Sequence, residues 1–238
     1  MKILITAGNT QAPIDRVRCI TNVFTGRTGA AIAVEAHRRG HAVTLLTSHP
    51  ETIDSVNGIE CVSYRTFDEL SSALAGRVQR GGLDAIVHCA AVSDYYCEGV
   101  YAPSRGTWFD PTNLTWHGDP PRLVDRAAEK VKSDAPELWL QLTKTPKLVD
   151  RVRRDWGFRG ILVKFKLEVG VSLDELLAVA ENSRLQSDAD WMVANTLESV
   201  TEQAYLGSAQ GYEPMHRGDL PLRLLDVIEA QHEEAQRG

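Results

Sequence analysis

Two glycine turns stand near the start of the chain. Thr6-Ala7-Gly8-Asn9-Thr10 closes the first apolar run, and Thr25-Gly26-Arg27-Thr28-Gly29 precedes the first amphipathic stretch. Glycine lets a backbone turn where a side chain would block it, and free N–H groups at the positive end of a helix dipole favour phosphate oxygens. The pair is not G-x-G-x-x-G: about fifteen residues separate the turns, and no acid closes the second strand at Leu45-Leu46-Thr47, so a dinucleotide site is disfavoured. Ala90-Ala91-Val92-Ser93-Asp94 follows the most apolar run. The alanines leave room for a flat or extended ligand on the backbone, and Asp94 could accept hydrogen bonds or hold Mg²⁺ beside phosphates. Each segment also has a plainer reading, as a strand-to-loop turn, a helix cap or a turn-capping Asp.

Lys130-Val131-Lys132 carries a lysine that could swing over a phosphate as a mobile point charge, although most lysines are solvated surface. Lys164-Phe165-Lys166-Leu167-Glu168 and Met192-Val193-Ala194-Asn195 end two further apolar runs and add an aromatic face and an amide. Phe165 could stack on a base, but a Phe on a strand is commonly core. His37 and His41 stand four apart with Gly40 between them and no carboxylate set nearby, so metal ligation is not expected. No Ser-His-Asp or G-x-S-x-G nucleophile arrangement is legible.

These residues need a scaffold that gathers strand ends. Strand-like runs at 2–7, 42–47, 59–64 and 84–91 alternate with helical patterns at 29–39 and 67–79, the signature of βαβ units feeding a parallel sheet. From 95 to 121 the rhythm breaks: four prolines and two tryptophans occur with no sustained period, which reads as a long surface excursion. Alternation resumes with strands at 138–142, 161–167 and 191–194 and helices at 146–155 and 173–185. A loop or short hairpin at 204–218 and a helix at 220–235 follow. The expected class is α/β: Rossmann-like, doubly wound, with a mainly parallel sheet and helices on both faces.

The chain has 238 residues, 43% hydrophobic and 24% charged, which is ordinary globular composition. A net charge of −6 gives no reason to expect nucleic acid or an anionic membrane as partner, while a local basic pocket for phosphates stays compatible. The chain turns polar at 6–10, too early for a signal peptide, and no run approaches the ~18 apolar residues of a membrane span. A cytoplasmic location is expected. Cys19, Cys61, Cys89 and Cys97 form no C-x-x-C pair and read as reduced, mostly buried thiols.

In order, Ile3-Leu4-Ile5-Thr6-Ala7-Gly8, Ile14-Asp15-Arg16-Val17-Arg18-Cys19-Ile20-Thr21-Asn22 and Gly26-Arg27-Thr28-Gly29 resemble the opening of the phosphopantothenate-cysteine ligases, also called phosphopantothenoylcysteine synthetases. Ala90 to Tyr95, Glu129 to Lys132, Thr145-Pro146-Lys147-Leu148-Val149, Phe165 to Glu168, and Val193 to Asn195 with Leu197-Glu198-Ser199 continue the match, so the resemblance spans about residues 2–235. It implies a single Rossmann-like ligase domain over 1–238 with a surface insertion at about 95–125. It also implies amide formation in coenzyme A biosynthesis, in two half-reactions. A nucleotide is first joined to the carboxylate of 4′-phosphopantothenate, releasing pyrophosphate, and the amine of cysteine then displaces the nucleotide. Such a site must offset the negative charge around the triphosphate and acyl oxygens.

The resemblance implies that Asn22 donates its amide to the activated acyl group and that Lys130 closes over the intermediate. Arg18, Asn22, Ala90, Ala91 and Asp94 would bind substrate, with Arg18 reaching the substrate phosphate from the partner subunit of a homodimer whose sites lie at the interface. Gly8, Gly26, Gly29, Asp94, Lys130, Pro146, Val149 and Phe165 would bind the nucleotide, ATP or CTP, with Mg²⁺ on the phosphates and no other metal. The family's flavin-dependent decarboxylase is often fused in front, whereas this chain begins at the ligase strand, so no flavin is expected.

Four features depart from the family pattern. Asn9 replaces a second glycine, Phe24 replaces a serine, the 95–125 segment is longer, and Ser183 and Ser187 stand where the CTP-using form has two lysines. The last difference makes the ATP-using form the closer of the two. Two other readings stay open: a related nucleotide-activating ligase for another carboxylate or amine, and a non-catalytic nucleotide- or NAD(P)-binding Rossmann protein.

Overall fold

The computed structural model describes residues 1–53 and 56–237. In chain order the first elements are β1 (Lys2–Ala7), β2 (Gln11–Pro13), β3 (Cys19–Thr21), α1 (Arg27–Arg38), β4 (Ala42–Thr47), β5 (Glu60–Ser63), α2 (Phe67–Arg80) and β6 (Ala85–His88). They continue with β7 (Tyr95–Pro103), β8 (Trp108–Asp110), β9 (Thr115–His117), β10 (Leu123–Asp125) and β11 (Trp139–Lys144). The last are α3 (Leu148–Arg154), β12 (Ile161–Glu168), α4 (Leu173–Gln186), β13 (Trp191–Thr196), β14 (Gln203–Ser208), β15 (Gly211–His216) and α5 (Leu220–Arg237). They pack as two compact units, one made of Met1–Thr10, Val23–Val92 and Lys147–Gly238, the other of Gln11–Asn22 and Ser93–Pro146.

The first unit holds an eight-stranded sheet in the order β15-β14-β13-β12-β6-β1-β4-β5. Strands β13, β12, β6, β1, β4 and β5 are parallel, and β14 and β15 add an antiparallel hairpin that carries Pro214 on the outermost strand. Counted along the chain, the parallel strands lie in the order 3-2-1-4-5-6, so the winding reverses between β1 and β6. Ligands of doubly wound sheets bind outside the carboxyl ends at that reversal. Ile3, Ile5, Val87 and Val163 face α1 and α5, packing on Ile32, Ala36, Leu224 and Ile228. Leu4, Ile86 and Leu162 face α2 and α3, packing on Leu70, Leu74 and Val152. Burial on both faces is why these strands read as continuous apolar runs. Capping boxes at Thr66/Glu69 and Ser172/Glu175 start α2 and α4, each satisfying N–H groups that a helix start leaves unpaired.

The second unit is all β. β7 is the middle strand of an antiparallel sheet with β10 and β11, while β2 pairs with β3 and β8 with β9. Phe109, Trp116 and Trp139 form its aromatic cluster, with ring centroids 4.6 to 5.3 Å apart.

Several expectations need correction. The 95–121 segment is not an irregular excursion: it contains a nine-residue strand and a hairpin. Its three-residue strands are too short to show alternation, and Gly99 interrupts the longer one. The expected strand at 138–142 forms, but as β11 it pairs antiparallel with β7 rather than joining the parallel sheet. Cys19 and Cys61 are exposed and Cys89 and Cys97 half-buried, so the thiols are reduced but not mostly buried. Of the two alternatives for 204–218, loop or short hairpin, the hairpin is the one that forms, as β14–β15.

Candidate active site

Gly8 follows β1 with φ of +88°, and a Cβ there would stand 2.2 Å from Ser48 Oγ. Gly26, the residue before α1, has φ of +80°, and its Cβ would lie 2.3 Å from the Gly8 nitrogen and 2.8 Å from Gly8 Cα. At Gly29 a Cβ would meet Ala7 Cβ at 2.6 Å. The two turns that the sequence separates therefore meet, and glycine is what allows strand end and helix start to touch. Asn9 needs no positive φ: its N–H donates to Ser48 Oγ at 2.9 Å, and Ser48 Oγ donates back to its Oδ1 at 3.2 Å. The neighbouring strand end joins the same place, because Ala91 N–H donates to Gly8 O at 2.8 Å and Ala90 N–H to Thr6 Oγ1 at 3.1 Å. Gly8, Gly26, Gly29, Ala90 and Ala91 thus converge at the reversal of the sheet.

Below them, Thr6, His88 and Lys164 are in register across β1, β6 and β12. Thr6 Oγ1 lies 3.1 Å from His88 Nδ1, and burial pushes His88 down to about 4, with Lys164 adding to the effect. Lys164 Nζ donates to Ser187 Oγ at 2.5 Å and Ser183 O at 2.8 Å, and lies 3.9 Å from Asp150. Burial pushes its ammonium down to about 8, against the pull of Asp150.

Beside the glycines, α1 starts with no side-chain cap and no acid in its first turn. Arg217 Nη2 donates to Thr28 Oγ1 at 2.7 Å, while its Nη1 is buried with no hydrogen-bond partner among the described residues. No carboxylate of the described residues pairs with Arg217, and burial lowers its pKa against the smaller, opposite effect of Cys89. Burial in turn pushes the Cys89 thiol up to about 12, against Arg217 and the Gly29 N–H, so it stays protonated at neutral pH. A desolvated guanidinium without a counter-ion is costly, and an anion would offset it.

In the second unit, Arg18 is tied to Asp15 and to Val131 O, and Lys130 beside Val131 is exposed. Arg18 Nε, first, and the N–H groups of Val17, Val131 and Arg18 hold the Asp15 carboxyl well below the usual carboxylate range. Asn22 is half-buried just after β3, and Asp94 is exposed, its carbonyl accepting from Thr145 N–H at 2.9 Å. Pro146 is exposed in this unit.

Two nucleotide candidates of the first unit sit differently from the glycines. Val149 turns into the core at 4% exposure, and Phe165 is half-buried against the core that α1 and α5 cover. Arg217 escaped sequence reasoning, since a single Arg in a loop-or-hairpin stretch carries no periodic or motif signal. Among the described residues no three His, Cys, Asp or Glu side chains cluster to hold a metal. No described helix is long and apolar enough to cross a membrane.

Residues 1–103 match the family described as DNA/pantothenate metabolism flavoprotein C-terminal domain. The coenzyme A biosynthesis bifunctional protein CoaBC of Thermococcus kodakarensis is 32% identical over 237 residues, covering 96% of this chain and 51% of that protein. CoaBC of Escherichia coli is 30% identical over 205 residues, 85% of this chain and 42% of that protein. The chain spans about half the length of the curated relatives it matches. A solved DNA/pantothenate metabolism flavoprotein from Streptococcus pneumoniae superposes with a TM-score of 0.78 at 27% identity, covering 98% of this chain and 100% of that one. The C-terminal domain of CoaBC shares the fold, with a TM-score of 0.66 at 19% identity over 98% of this chain and 96% of that one. Residues 1–103 of this chain thus match the DNA/pantothenate metabolism flavoprotein C-terminal domain family, and over nearly its whole length the chain is homologous to CoaBC.

Proposed function

We propose that this chain joins 4′-phosphopantothenate to cysteine through an acyl-nucleotide intermediate, as a phosphopantothenoylcysteine synthetase. One observation supports the reading: at the reversal of the sheet two glycine turns meet beside Arg217, whose buried Nη1 has no partner among the described residues. A triphosphate would supply an anionic partner. A Cab2 mutant whose fold this chain shares is known in complex with phosphopantothenate-cysteine, which agrees with the reading.

A carboxylate is a poor electrophile until it carries a good leaving group. In the first half-reaction a carboxylate oxygen of 4′-phosphopantothenate attacks the α-phosphorus of the nucleotide and pyrophosphate leaves. In the second the amine of cysteine attacks the acyl carbon, loses a proton, and the nucleoside monophosphate leaves. Within the first unit, Gly8, Gly26, Gly29 and Arg217 would hold phosphates, and Ala90 and Ala91 would let the extended substrate lie on the backbone. Phe165, and the stretch from Pro146 to Val149 through its backbone, would frame the base. Within the second unit, Asn22 would donate to the acyl oxygen, Lys130 would hold the acyl-nucleotide, Arg18 would take the substrate phosphate and Asp94 would accept hydrogen bonds from substrate and nucleotide. Mg²⁺ would be carried on phosphate oxygens and would neutralise part of their charge.

We propose ATP as the nucleotide. Ser183 and Ser187 offer no cation at the helix, and Lys164, which reaches them, is buried and already faces Asp150. We also propose a homodimer. The sheet of the second unit exposes Tyr95, Tyr96, Leu123, Val124 and Leu142 at 41 to 51%, apolar surface of the kind a partner covers. The proposed location is the cytoplasm, because the phosphorylated substrates do not cross membranes unaided.

The test is pyrophosphate release. Protein, 4′-phosphopantothenate, cysteine and Mg²⁺ are incubated with ATP or with CTP; faster release with ATP is expected, and no release with either nucleotide refutes the assignment.

A further inference from the structure

The Asp15 side chain has no accessible surface. Its Oδ1 accepts from the N–H groups of Val17 at 2.8 Å and Arg18 at 2.7 Å, the ordinary work of an Asp at a turn. Its Oδ2 does something a turn does not require. It accepts from Arg18 Nε at 3.0 Å, from Arg18 Nη2 at 2.6 Å and from the Val131 N–H at 3.0 Å, more than a hundred residues away. Arg18 Nη2 also donates to Val131 O at 2.7 Å. Val131, 2% exposed, is therefore held at both of its backbone polar groups. On the other side of Lys130, the Arg16 N–H donates to Glu129 O at 3.0 Å. Lys130 is thus the exposed residue of a rung whose neighbours are bound to the 15–18 segment.

We propose that Asp15 is a positioning residue that couples Arg18 to Lys130, so that a phosphate seated on Arg18 fixes the segment bearing the lysine. The proposal rests on the ligase reading for the identity of the phosphate-bearing substrate. Arg18 gives its Nε and Nη2 donors to Asp15 and Val131 O, which leaves Nη1 for an incoming anion. An anion that draws on the guanidinium also pulls on Asp15 and on the Val131 carbonyl. Lys130 then moves with the substrate site instead of as an independent flap, and pre-orders the second half-reaction.

Asp15→Asn keeps the size and one acceptor but sets an NH₂ group against donors that met Oδ2. Hydrogen exchange over 129–132, with and without 4′-phosphopantothenate, reads the coupling without turnover. In the wild type the ligand should slow exchange there. In Asp15→Asn the segment should exchange roughly 10-fold faster and no longer respond, and the second half-reaction should slow roughly 10- to 100-fold with little change in nucleotide KM. Lys130→Gln should add little to that loss, whereas a merely structural Asp15 gives additive losses. Asp15→Glu should restore part of the ligand response. Should Asp15→Asn fail to fold, Arg18→Gln, altered at a partly exposed side chain, should retain ligand-free protection of Val131 and lose the response. Unchanged exchange over 129–132 in Asp15→Asn, or an undiminished ligand response in Arg18→Gln, overturns the coupling. A wild type that releases no pyrophosphate, yet shows the Asp15-dependent exchange, sinks the ligase reading and leaves the coupling standing.

Discussion

Gly8 and Gly26 lie backbone to backbone, so close that a Cβ on Gly26 would stand 2.3 Å from the Gly8 nitrogen. Gly26→Ala must therefore shift main chain as well as hold alanine at φ of +80°, at a cost of about 3 kcal/mol or more. Gly40, at φ of +84° with nothing within 4 Å, isolates the conformational part, and Gly40→Ala should cost about 1 kcal/mol. Denaturant midpoints compare the two; equal losses would show that the close approach carries no weight. Gly26→Ala should also abolish pyrophosphate release.

Arg217→Met separates binding from stability. The variant loses one hydrogen bond to Thr28 and also an unpaired buried charge, so stability should stay within about 1 kcal/mol of wild type. The nucleotide KM should rise roughly 10- to 100-fold, the worth of a charge-assisted phosphate contact. Pyrophosphate should raise the melting temperature of the wild type and not of the variant. A variant that unfolds readily but binds nucleotide normally would make Arg217 a structural residue.

Lys130 is exposed, so Lys130→Gln should leave the melting temperature unchanged. Single-turnover measurements should show the second half-reaction slowed about 100-fold and the first much less. Equal loss in both halves would remove the lysine from the holding of the acyl-nucleotide.

His88 predicts an acid-side loss of stability. Its folded pKa, about 4, lies below the unfolded 6.5, so the unfolded chain binds the extra proton as pH falls. Stability is full above pH 6.5 and declines through pH 4, by about 3 kcal/mol in all. Between pH 6.5 and 5 the wild-type midpoint should fall while that of His88→Gln stays flat. Parallel slopes in the two proteins would assign the loss to other groups.

The sequence makes the parallel sheet legible because its strands are buried on both faces and carry long apolar runs; 2–7 and 42–47 match β1 and β4 end to end. The second unit was not legible for the opposite reason. Its strands are short, half-exposed and built around aromatic pairs such as Trp108 with His117, which leave no period to find. Among the candidate residues, Gly8, Gly26 and Ala90 could be named from turn chemistry and motif order. Arg217 and Asp15 could not: the first matters because its buried Nη1 has no partner among the described residues, the second because of a partner far along the chain, and neither property is written locally.

The outermost strand of the large sheet bears on how the molecule behaves in company. Pro214 has no N–H to offer, and Glu213 beside it brings a charge, so the β15 rim is a poor template for a foreign strand. Concentrated solutions should resist fibre growth from that side, and replacing Pro214 with valine would reopen it to strand-by-strand aggregation.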